Sequence, residues 1–172
     1  ILLACLFHDM GNIIKADLSL FPESFEPEGL EYWQKVKEEF IKKYGSDEHA
    51  VNVQIMREIG LPRAAVFLAS KNQFGLICKH KETADMNVKI THYADARVGP
   101  YGAVSYDERM LEAKKRYPPS AFGTNEEERQ KLVACGKEIE RQIFSKCKIK
   151  PEDINNEAIA PIISELKNFV IE

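Results

Sequence analysis

The feature that most restricts this chain is a three- and four-residue recurrence of apolar side chains, cut at intervals by glycine and proline. No segment alternates apolar and polar residues long enough to make a convincing strand, so the pattern predicts an all-α fold. From Glu28 to Tyr44, Trp33, Val36, Phe40 and Tyr44 form one stripe with lysines and glutamates opposite, and Gly45 ends the helix. Ser46 or Asp47 can cap the next helix, whose stripe is Asn52, Ile55, Met56 and Ile59 and which Gly60 and Pro62 close. A short helix comes after it, from Arg63 to about Lys71. Asp85 can cap another, running to Val98 and stopped by Gly99 and Pro100. Ser105 and Glu108 make a capping box for a helix to Tyr117, where Pro118 and Pro119 break the chain. Thr124 with Glu127 opens the longest helix, which runs to about Cys147 on a stripe of Leu132, Gly136, Ile139 and Ile143. The last helix, near Glu157 to Val170, holds Pro161 one turn in, which predicts a kink or a later start. The proline-bearing loops at 21–29 and 98–105 are the expected rim of any site.

With 172 residues, 44% of them apolar and 30% charged, the chain is long enough for one core, and one domain is the default. A net charge of -3 supplies no basic face for a phosphate backbone, so bulk nucleic acid is not expected as a partner. A small phosphorylated molecule is still compatible, because it needs only a local cluster of cations and metal. The four cysteines, Cys5, Cys78, Cys135 and Cys147, are scattered without a CxxC pair, which reads as reduced thiols in a cytoplasmic protein. No apolar stretch approaches the roughly 20 residues of a membrane-spanning helix. The chain opens ILLACLF, without a methionine and inside what reads as a fully buried helix, so the numbering is expected to begin partway through a natural sequence.

That opening run stops at two adjacent metal-capable side chains, His8 and Asp9, with Gly11 two residues later. An imidazole and a carboxylate at the end of a buried helix are hard-to-borderline ligands, suited to a divalent ion such as Mn2+ or Fe2+ that offsets the burial of charge. A His-Asp pair alone is a weak signal, and a surface pair at a helix C-terminus is the bland alternative. Farther along, Val88, Thr91, Asp95 and Val98 share one helical face, which aligns an acid with inward-facing apolar residues. Such an acid needs a partner, either a metal or a nearby cation such as Arg97 or Arg109.

LFHDMGNIIK together with ITHYADARVGPYG resembles the signature of the HD-domain metal-dependent phosphohydrolases, in which a histidine, a His-Asp doublet and a distant aspartate bind metal. The resemblance covers about residues 1–117 and implies an HD-domain-like helical bundle there; the helices of 118–172 carry no matching motif and are expected to pack on the same domain. It makes His8, Asp9 and Asp95 metal ligands, for Mn2+ or Fe2+ first and Ni2+, Mg2+ or Zn2+ as alternatives. SDEHAVNVQIMREIGLP and LICKHKE resemble the segments that carry further histidines, here His49 and His80, which complete a second site or grip the substrate phosphate. His49 lies in the first turn of its helix, where free amides suit an anion. Lys15 and Arg97 complete the candidate phosphate contacts, although an exposed lysine after a helix is the simpler reading of Lys15. His92, one turn before Asp95, is either an orienting neighbour or a solvent-facing residue.

Two departures from the family pattern stand out. No histidine precedes His8, so the first ligand is absent, which again suggests an N-terminally truncated domain; and Asn12 stands where lysine or histidine is usual. The resulting expectation is hydrolysis of a phosphate ester of a nucleotide or other small metabolite by metal-activated water, with Asp9 bridging if a second ion binds. The rivals are an inert regulatory or nucleotide-binding HD domain, and a helical scaffold that docks partners through its C-terminal helices.

Overall fold

A computed structural model of the chain describes residues 1–20, 25–116 and 125–168. The fold is all-α: among the described residues, helices carry the architecture and the sheet is a single two-stranded hairpin. The chain divides into two compact units, Ile1–Asn72 and Gln73–Glu172. The functional boundary expected at 117/118 falls on residues outside those described.

In the first unit, α1 (Leu2–Phe7) leads to a 3-10 turn (Asn12–Ile14) and then to α2 (Gly29–Tyr44), α3 (Glu48–Glu58) and α4 (Arg63–Lys71). Its core is Ile14, Val51 and Ile55, with Met10, Ile13, Phe40 and Tyr44 packed against it. The α2 stripe of Trp33, Val36, Phe40 and Tyr44 is half-buried as its spacing requires, and Gly45 takes the positive φ (95°) that ends the helix. Asp47 is the residue that caps α3. Asn52, Ile55 and Met56 are buried, whereas Ile59 terminates α3 and is 49% exposed. The opening helix departs from expectation. α1 has six residues and buries only Ala4; Leu2 and Leu6 are exposed, because so short a helix meets α4 along a narrow line.

Gly11 fixes the path of the chain after the His8–Asp9 doublet. A Cβ there would stand 2.5 Å from the Glu48 carbonyl oxygen and 2.9 Å from the Asn52 amide nitrogen. Only glycine lets this turn lie against the α3 backbone.

In the second unit, α5 (Ile77–Glu82) and α6 (Met86–Asp95) pack on the long α8 (Glu126–Phe144), with α7 (Tyr106–Arg116) between them in sequence and α9 (Asn156–Lys167) last. The core comprises Ile77, Tyr93, Ala96, Tyr106, Cys135, Ile139 and Ile143. The α8 stripe is as expected, and Gly136 is required in it, since a Cβ there would collide with Tyr106 and Ile77. The capping box of α8 is Asn125 with Glu128, one residue beyond the expected pair, whose Thr124 lies outside the described residues. The expected ends at Tyr117 and Val170, and residues 21–24 of the first loop, also lie outside them. α9 starts ahead of Pro161, capped by Asn155, and includes the proline.

The structure corrects two further expectations. α6 stops at Asp95, and Val98–Gly99 (β1) pairs with Gly102–Ala103 (β2) as a hairpin, leaving Val98 56% exposed. The cysteines are not all reduced: Cys78 and Cys135 form a disulfide joining α5 to α8, with Cα atoms 5.1 Å apart, while Cys5 and Cys147 are thiols. Sequence spacing hides this pair because its two cysteines, on different helices, are 57 residues apart. Among the described residues no helix is long and apolar enough to cross a membrane.

Candidate metal centre

His8 caps the C-terminus of α1, and its ring orientation is set by the backbone it ends. The Nδ1–H donates to the Cys5 carbonyl at 2.8 Å; a carbonyl can only accept, so the proton of the neutral ring belongs on Nδ1. That leaves the Nε2 lone pair directed away from the helix, 3.4 Å from Asp9 Oδ2. A backbone oxygen holding the far nitrogen of a metal-ligating histidine is a recurrent arrangement. Asp9 itself is exposed, its side chain at 59%, so its carboxylate is open to water.

Asp95 is the last residue of α6 and half-buried. His80 on α5 and His92 on α6 are both buried, with ring centroids 5.3 Å apart in an edge-to-face arrangement. Burial pushes His92 down to about 4, the neighbouring His80 adds to this and Asp95 works against it. His92 is therefore a neutral core histidine. The solvent-facing reading is overturned, and its position four residues after the buried Val88 is the signal that places it inward.

His8 and Asp9 belong to the first unit and Asp95 to the second. Two carboxylates and one neutral imidazole are the donor set that a hard-to-borderline divalent cation takes. Of the two arginines near Asp95 in sequence, Arg109 pairs with Glu112, and Arg97 donates to the Tyr93 hydroxyl and to backbone carbonyls.

The other candidates are placed differently. Arg97, 5% exposed, donates from Nε to the Val104 carbonyl, from Nη1 to the Tyr93 hydroxyl and from Nη2 to the carbonyls of Pro151 and Ile154. All three nitrogens are committed, so Arg97 is a clamp rather than a phosphate contact. His49 is exposed beside Glu48, and the Asp47 carboxylate accepts from the amides of His49 and Ala50, which fills the anion position of that first turn. Lys15 is exposed and pairs with Glu48 at 3.0 Å. Of the cations proposed from sequence, His80 alone sits among the histidines and acid of the second unit.

Comparison with family models, curated proteins and solved structures finds no match.

Proposed function

We propose that this chain is a metal-dependent phosphohydrolase domain in which His8, Asp9 and Asp95 hold a divalent cation, Mn2+ or Fe2+ by preference. The observation that carries the reading is the His8–Asp9 doublet at the end of α1, its imidazole held by the Cys5 carbonyl with Nε2 beside the Asp9 carboxylate, in a segment that with ITHYADARVGPYG resembles the HD-domain signature. Such a cation, when bound, lowers the pKa of a coordinated water and polarises a phosphoryl oxygen. The chain's own part is to position and to neutralise. The Cys5 carbonyl keeps Nδ1 of His8 protonated and Nε2 basic, and the two acids offset the ion's charge. Asp9, exposed to solvent, would help hold the ion and orient an attacking water. His80 is the candidate to steady the phosphate or to protonate the departing alcohol. Lys15 and His49 stand beside Glu48, and Arg97 donates to the Tyr93 hydroxyl and to backbone carbonyls, so none of the three is assigned a role in it.

The test is Mn2+ titration by calorimetry on the chain and on Asp95→Asn, alongside a panel of phosphomonoesters and cyclic phosphodiesters with Mn2+, Fe2+, Ni2+ and Mg2+. Asp95→Asn should weaken Mn2+ binding at least about tenfold, as loss of one charged ligand does, with helical circular dichroism unchanged. Equal Mn2+ affinity in the two proteins would sink the ligand assignment. A second reading, an inert nucleotide-binding domain, is favoured by the engagement of three of the proposed phosphate cations. Metal-dependent nucleotide binding without turnover anywhere on the panel would select it.

A further inference from the structure

We infer that the Cys78–Cys135 disulfide is a thiol-responsive latch that holds α5, and with it the buried ring of His80, in place. α5 is six residues long and has no side-chain cap at its N-terminus. Isolated helices shorter than about 12 residues are marginal in water, so α5 depends on what it is fastened to. Its fastenings are the buried Ile77 and His80 and the bond from Cys78 to Cys135 on α8. His80 stands two residues beyond the bridged cysteine, and its ring packs edge-to-face on His92.

The two sulfurs are unequally protected. Cys135 is 7% exposed and belongs to the core, whereas Cys78 is only partly buried, so an incoming thiolate meets the Cys78 side of the bond first. A thiolate RS⁻ attacks Cys78 Sγ, the S–S bond breaks, and Cys135 leaves as a thiolate that takes a proton. A second thiolate attacks the mixed disulfide, releasing RSSR and the Cys78 thiol. Two RSH are oxidised to one RSSR while one protein disulfide becomes two thiols. The bond re-forms by the reverse exchange with a small-molecule disulfide. With the latch open, α5 is held by non-covalent packing on α8 and α6, chiefly through Ile77 and His80. It then opens locally, and the His80–His92 contact is lost with it.

The latch does not depend on the hydrolase reading, and its test uses no turnover. Maleimide labelling of the unfolded chain, after handling without reductant, should trap two thiols, Cys5 and Cys147, and four after dithiothreitol. Hydrogen exchange by mass spectrometry, run on both forms, should show amides of 77–82 exchanging at least about tenfold faster after reduction, with α7 changed much less. Cys78→Ser with Cys135→Ser should reproduce the reduced pattern and no longer respond to dithiothreitol; if that variant fails to fold, reduction of the natural chain still decides. Four thiols after treatment with a disulfide oxidant, unchanged exchange at 77–82 after verified reduction, or an equal increase throughout 73–168 would each overturn the latch.

Discussion

Single side chains in this molecule sort by whether they spend their polar groups on the fold or keep them open. Arg97 spends all of them, on residues 93, 104, 151 and 154, and its partners explain why it misleads a reader of sequence. A lone arginine two residues after a candidate ligand looks like a phosphate contact, because nothing local announces three distant carbonyls. Arg97→Met leaves those carbonyls without their donor, and urea denaturation should show a loss of about 3 kcal/mol. His92 gives a different test. Its folded pKa of about 4 lies below the ordinary 6.5, so between those values the unfolded chain binds the extra proton. Its contribution is complete above pH 6.5, declines as pH falls to about 4 and then levels off, a total of about 3 kcal/mol. Denaturation of the metal-free chain at pH 7.5, 5.5 and 4 should show this decline, and His92→Gln should flatten it.

Elements were the most legible level. The 3.6-residue stripes and the caps at Asp47, Asp85 and Ser105 are in the sequence because they are local chemistry. What was hidden is tertiary. The hairpin at 98–103 has strands of two residues, too short for any alternation, and α6 yields to it once Arg97 is drawn to Val104. The apolar opening was legible as a helix but not as an exposed one, since burial depends on what α1 meets. Gly11 is the element-level link between fold and doublet. Gly11→Ala forces its methyl against the α3 backbone, which cannot yield as a side-chain tip would. A loss of about 2 kcal/mol on thermal unfolding is expected, together with weakened Mn2+ binding as the His8–Asp9 turn shifts.

At the scale of the whole chain, all-α character follows from composition and period, whereas the division at 72/73 and the cross-link do not. Helical spacing says which residues face inward, and nothing about which helices share a core. Two compact units predict departure from two-state melting, with the calorimetric enthalpy exceeding the van't Hoff value. Because both bridged cysteines lie in 73–172, dithiothreitol should lower the transition belonging to that unit and leave the other where it was. The candidate ligands themselves were readable as types, His8, Asp9 and Asp95. Their joint role was not, because helical period carries no information on residues as far apart as 9 and 95.

The guanidinium of Arg97 joins the segment ahead of α9 to the hairpin, and Asn156 at the first turn of α9 adds a second tie through the Ala103 amide. Tyr101, 86% exposed at the hairpin's tip, is thus geared to a helix more than fifty residues downstream. Cutting the chain before Pro151 would therefore strip this corner of three hydrogen bonds, two from the Arg97 guanidinium and one from the Ala103 amide.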